Sequence, residues 1–162
     1  MIRTGMAILL ASVMPLTVVA QESGQDTVLE IENAWVRALP PGQPNTAAYL
    51  TLVNRGEVAV VVESASADVA DKAEMHTVRS VDGLMRMEQL QSLEVAPGER
   101  LELAPGGTHL MLLGLETMPV RGDEVQLCLQ LASQREVCAL ADVGKSRDSL
   151  DAQNHQHNQH DH

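Results

Sequence analysis

Lys72-Ala73-Glu74-Met75-His76-Thr77-Val78-Arg79-Ser80-Val81-Asp82-Gly83-Leu84-Met85-Arg86-Met87-Glu88-Gln89-Leu90 is a pair of alternating runs joined by Asp-Gly. Asp-Gly between such runs is a strong local signal for a β-hairpin, because a two-residue turn of the favoured hand needs positive φ at both central positions. With Asp82 and Gly83 as the turn, Val81 pairs with Leu84 and Val78 with Met87. His76 then lies diagonal to Met87 on one face, close enough for long side chains to meet.

The same period of two extends outward in both directions. Val28 to Arg37 reads as a first strand, closed by Pro40-Pro41-Gly42-Gln43-Pro44. Ala47 to Asn54 is a second, with Tyr49, Thr51 and Val53 on one face and Ala48, Leu50 and Leu52 on the other. Both faces are apolar enough for a strand covered on both sides. Arg55-Gly56-Glu57 turns the chain into the β-branched run Val58 to Ser64. Downstream of the hairpin come Ser92 to Val95, Arg100 to Leu103 and His109 to Leu115, the last behind Pro105-Gly106-Gly107. Val125 to Leu131 and Val137 to Val143 make a closing hairpin. Short runs between turn residues, without helical periodicity, internal repeat or break, predict one all-β domain over residues 28–143.

The two ends read differently. Met1-Ile2-Arg3 is a basic start, Met6 to Ala20 an apolar run, and Val18-Val19-Ala20 precedes polar Gln21-Glu22-Ser23. This pattern predicts a secretory signal peptide over residues 1–20; the run is short for a bilayer span, which is the alternative. Residues 21–27 form a polar leader. Beyond Val143, residues 144–162 are polar and end in Asn154-His155-Gln156-His157-Asn158-Gln159-His160-Asp161-His162. With nothing apolar to bury, this tail is expected to be disordered. Its histidines, His155, His157, His160 and His162, are spaced unlike a purification tag and are dense enough to take Cu(II), Zn(II) or Ni(II). The formal charge of −11 argues against nucleic acid and anionic lipid as partners. After signal cleavage no stretch remains that is long and apolar enough for a membrane.

Chemistry concentrates on the central hairpin and on the strand that begins at His109. His76 and His109 are the only histidines outside the tail, and His109 and Met111 share a face by alternation. A methionine in a strand is usually core filling, so Met75 and Met118 are assigned to the core; Met85 is ambiguous because it shares the face of Met87. Two same-face His/Met pairs on neighbouring strands point instead to a metal site of His76, Met87, His109 and Met111. Imidazole and thioether without thiolate suit Cu(I), and the missing thiolate suits a protein that gives its metal away. A carrier also needs its ligands near the surface, on strand ends beside turns. Cys128 and Cys138 flank the turn Ser133-Gln134-Arg135-Glu136 and fall out of phase with Val125, Leu127, Leu129 and Leu131. In an oxidising compartment they can bridge across the hairpin; reduced, they would be an extra copper site.

Ten residues separate His76 from Met87, twenty-one separate Met87 from His109, and one separates His109 from Met111. That spacing resembles the metal motif of the PCu(A)C family of periplasmic copper chaperones. So do Asn33-Ala34-Trp35-Val36-Arg37, Thr46-Ala47-Ala48-Tyr49-Leu50-Thr51-Leu52, Pro105-Gly106-Gly107 and Met111-Leu112-Leu113-Gly114-Leu115. The resemblance implies a cupredoxin-like Greek-key β-sandwich and Cu(I) held by the two His and two Met. It also implies delivery to the CuA centre of cytochrome c oxidase subunit II, often alongside a Sco-type protein; some members carry a His- and Met-rich C-terminal extension that binds Cu(II), which Asn154 to His162 resembles in its histidines but not in methionine. Thr108 stands where the family commonly has an aromatic residue, and the cysteine pair has no counterpart in the motif.

Other readings compete with delivery. Copper buffering or detoxification would use the tail as a sponge. A cupredoxin electron carrier would need a thiolate beside two histidines. A metal-free adhesion module would use the four residues as packing. No hydrolase triad, phosphate loop or distinct carboxylate pair stands out, so the chain is not expected to be an enzyme.

Overall fold

Alternation becomes ten strands in the computed structural model, which describes residues 28–146. The expected signal peptide (residues 1–20), the leader (21–27) and His155, His157, His160 and His162 lie outside the described residues. The strands are β1 (Leu29–Arg37), β2 (Asn45–Asn54), β3 (Val60–Ala67), β4 (Lys72–Val81), β5 (Leu84–Gln89), β6 (Leu93–Val95), β7 (Arg100–Leu103), β8 (His109–Leu113), β9 (Glu124–Leu131) and β10 (Glu136–Gly144). No helix occurs among the described residues.

Pairing runs in the order β5-β4-β8-β2-β1-β10-β9-β3-β6, with β7 also on β2. One more pair, Ala65 with Ala73, joins β3 back to β4. The sheet therefore closes on itself, and its two curved halves enclose one core as a β-sandwich. β8 between β4 and β2, and β1 parallel to β10, give the crossovers of a Greek-key arrangement. The all-β cupredoxin-like sandwich is the observed architecture.

The inner face is apolar throughout: Val36, Ala48, Leu50, Met75, Leu110 and Leu127 are all buried there. β2 is buried from Thr46 to Asn54 on both of its faces, as its composition predicted. Asn54 ends that strand fully buried and fully bonded. Its Nδ2 donates to the carbonyls of Val58 (2.8 Å) and Val95 (3.0 Å), and its Oδ1 accepts from Gly56 N at 2.9 Å. These bonds hold residues 55–59 as a loop. The third strand consequently starts at Val60 and runs on to Ala67, later than the expected Val58 to Ser64. The strand from His109 stops at Leu113, short of the expected Leu115, because Gly114 turns the chain at φ 73°.

A bulge lies between Glu32 and Trp35, with Asn33 at φ 56°. The extra residue shifts the alternation. Trp35 pairs with Tyr49 on the outer face, and Val36 with Ala48 on the inner.

Cys128 pairs directly with Cys138 on the outer face of β9 and β10, and the two form a disulfide with Cα atoms 4.1 Å apart. Together with Glu136 they offer donor atoms within 4.8 Å of one another. Sulfurs bonded to each other are not thiolates, so the reduced-pair copper site has no ligands in this state. The bridge spans a sequence separation of 10. Replacing both cysteines by serine should lower the unfolding free energy by about 2–3 kcal/mol on the chain-entropy account. Denaturant unfolding of the two forms measures this, and coincident curves would show that the bridge adds no stability.

Candidate metal centre

The central hairpin has the expected register. Val81 pairs with Leu84 and Val78 with Met87, and the turn residues Asp82 and Gly83 have φ of 53° and 78°. On its other side β4 pairs with β8, which sets His76 opposite His109 and Glu74 opposite Met111. Paired residues share a face, and residues two apart on a strand share it too. Met87, His76, His109 and Met111 therefore stand on one outer face across three adjacent strands. The two imidazole centroids are 6.1 Å apart, which leaves room for an ion bonded to both rings at about 2 Å.

The cluster runs from solvent into the protein. Met87 is 53% exposed on the edge strand β5, and Met85 on the same face is 67% exposed. His76 is partly covered in the middle of β4, and Met111 packs against Trp35, Ala47 and Tyr49. His109 opens β8 just after a turn, yet the residue is only 5% exposed. His109 thus stands at a strand end beside a turn, as expected, but the cluster reaches the surface at Met87 on the β5 side, while Trp35 and Tyr49 cover the Met111 flank. Met75 and Met118 are in the core, as assigned from the sequence.

Local structure orients both rings. Ala104-Pro105-Gly106-Gly107 is a tight turn, with Gly107 N donating to the Ala104 carbonyl at 3.0 Å and Gly106 at φ 82°. Pro then Gly at the two central positions is the chemistry that such a turn requires. It presents the Gly107 carbonyl to His109, whose Nδ1 donates to it at 3.0 Å. That proton on Nδ1 leaves Nε2 with the free lone pair. Thr108, in place of an aromatic residue, lies hydroxyl to hydroxyl with Thr77 at 3.1 Å and ties the turn to β4.

His76 is held by a residue that the sequence reading did not single out. Its Nε2 lies 2.8 Å from Glu74 Oε2, while Lys72 pairs with the other carboxylate oxygen. Lys72 above all, and His76 after it, hold the Glu74 carboxyl below the usual range. The one available signal was spacing, since Glu74 is two residues before His76 and must share its face. His76 Nδ1 is buried and has no hydrogen-bond partner. A buried acceptor without a donor costs free energy, and a bound cation would satisfy it.

Behind the cluster, aromatic rings continue across the same face. Tyr49 is 6.2 Å from His109 and 4.5 Å from Trp35, centroid to centroid, and the Arg37 guanidinium lies 5.2 Å over the Tyr49 ring. Burial pushes the Tyr49 phenol up from its ordinary 10.0, and Arg37 opposes the shift in part. Tyr49 is the sole tyrosine, so a near-ultraviolet absorbance titration should give one transition with its midpoint above 10.0. The unfolded chain loses this proton at lower pH than the folded one, so stability should fall as pH rises past 10.0. A midpoint at or below that value would mean that the phenol is not desolvated.

Residues 29–143 match the family described as LpqE-like lipoproteins. A lipoprotein of Leifsonia xyli subsp. xyli is 31% identical over 105 residues, which are 64% of this chain and 62% of that protein. The chain thus spans less than two thirds of that curated relative. The Cu(I) form of DR1885 from Deinococcus radiodurans is 30% identical, over 78% of this chain and 86% of that one, with a TM-score of 0.57. Its apo form is 26% identical over 88% and 97%, with a TM-score of 0.59. The copper-bound PCuAC domain of PmoF2 shares the fold at 21% identity, over 74% and 94%, with a TM-score of 0.61. By the match across residues 29–143, which takes in all four residues of the His/Met cluster, this chain belongs to the LpqE-like lipoprotein family.

Proposed function

We propose that this chain is an exported copper chaperone that binds one Cu(I) through His76, Met87, His109 and Met111 and hands it on. The observation that carries the reading is the β4–β8 register, with His76 opposite His109 and a buried, unpartnered Nδ1 on His76. The donor set fits the cargo. Two thioethers favour a soft ion, and two imidazoles add affinity without the tenacity of a thiolate. Likeness to the Cu(I) form of DR1885 at 30% identity supports the same cargo. The exposed Met87 is the donor that a recipient can reach first, so transfer proceeds from the β5 edge. The chain binds and transfers; it is not an enzyme.

The recipient we propose is the CuA centre of cytochrome c oxidase subunit II, with a Sco-type protein as co-worker, in the periplasm. The signal-peptide pattern of residues 1–20 and the lipoprotein relatives support export to the cell envelope. His155, His157, His160 and His162 act as an auxiliary Cu(II) site. Their density favours a second reading, in which the protein buffers copper and has no dedicated recipient.

A Cu(I) competition titration tests the core site. The chain from residue 21 onward, with the four tail histidines changed to alanine, should bind one tight Cu(I). Changing His76, Met87, His109 and Met111 to alanine as well should abolish that equivalent. Equal binding by both forms would make the four residues mere packing. Mixing the loaded chain with the copper-free CuA domain of subunit II then separates the two fates. Copper leaving the chain supports delivery, and copper retained supports buffering.

A further inference from the structure

The two rings of the cluster are fixed in opposite senses. A neutral imidazole carries one N–H and one lone pair, and an ionised carboxylate can only accept. His76 Nε2 lies 2.8 Å from Glu74 Oε2, so the proton belongs on Nε2 and the lone pair on Nδ1. That Nδ1 is the buried side-chain atom without a partner. His109 is the reverse, with Nδ1 donating to the Gly107 carbonyl and Nε2 left bare.

We propose that Glu74 is the positioning residue of the cluster: its carboxylate fixes the His76 proton on Nε2 and so makes Nδ1 the nitrogen that takes Cu(I). This rests on the copper reading above. Three features of β4 make the arrangement specific. Lys72, Glu74 and His76 alternate on one face, so the carboxylate is flanked by a cation and by the ring it orients. Lys72 occupies Oε1, which leaves Oε2 for the imidazole. Glu74 is also directly opposite Met111, and its side chain is only 13% exposed, so water competes little for the bond. A carboxylate on the far nitrogen of a metal-binding histidine raises the basicity of the near one and holds the ring plane. The rival arrangement has Glu74 as a plug, leaving when Cu(I) binds Nε2.

Nitrogen–proton correlation spectra of the imidazoles decide between them, recorded on the chain from residue 21 onward. Without metal, His76 should be in the Nε2–H form and His109 in the Nδ1–H form. Glu74→Ala should mix the two His76 tautomers and leave His109 unchanged. Glu74→Gln has one carbonyl oxygen, which Lys72 takes, so its amide N–H turns to Nε2 and should favour the Nδ1–H form of His76. Amide dispersion in the same samples reports that both variants fold. Adding Cu(I) should shift Nδ1 of His76 and Nε2 of His109. By competition, Glu74→Ala should bind Cu(I) about 10–100-fold more weakly, and Glu74→Gln no more tightly than Glu74→Ala.

An Nδ1–H tautomer in the metal-free wild type would overturn the proposal, as would a Cu(I) shift at Nε2 of His76. Rings that do not respond to Cu(I) at all would overturn the copper reading itself, and the role of Glu74 with it.

Discussion

Register between β4 and β8 is the constraint on which the rest depends. Met75 and Leu110 face each other in the core, and the next pair along, His76 and His109, faces out. A slip of one residue in either strand would carry that strand's imidazole into the apolar interior and its apolar neighbour, Met75 or Leu110, into water, because the side-chain period is two. Burial of the apolar partners thus holds the polar ones in line. The geometry of the His/Met cluster is the outer consequence of the inner packing, and it needs no dedicated scaffold.

Closure of the sheet gives the outer face its depth. An exposed face of a simple hairpin would leave all four residues wet. Here β8 is flanked by β2 and β4, the bulge at Asn33 turns Trp35 outward against Tyr49, and Met111 packs on that pair. One flank of the cluster is therefore walled by aromatic rings, while the other ends at the edge strand with Met87 in solvent. The cluster thus grades from buried His109 to exposed Met87, the gradient that the proposed carrier role would use. The acidic balance of the chain, −11 overall, favours cation approach at long range without adding to selectivity. In the proposed site, selectivity would come from the soft sulfur donors.

Outside the cluster, polar chemistry serves the fold. Asn54 is fully buried because it satisfies two carbonyls and one amide where β2 ends. The Arg55–Glu30 and Arg100–Glu32 pairs are exposed ion pairs on β1, and such pairs add little stability. The disulfide joins two strands that already pair, on the outer face of the half of the sheet formed by β9 and β10. Its exposure follows from its phase against Val125, Leu127, Leu129 and Leu131, which point inward.

Local pattern determined a good deal of this protein. Alternation identified the strands, Asp82-Gly83 set the hairpin register, and residues two apart on β8 had to put His109 beside Met111. Each follows from chain geometry over a few residues, so each was legible in the sequence. The family spacing then joined the two halves by resemblance. Only the tertiary structure decided that β4 pairs with β8, which brings the two His/Met pairs onto one face. It also moved Trp35 outward through the bulge at Asn33, began β3 at Val60 through the side chain of Asn54, and brought Glu74 onto His76. Bulges, capping side chains and non-local strand pairs depend on how remote segments pack. No window of neighbouring residues contains that information.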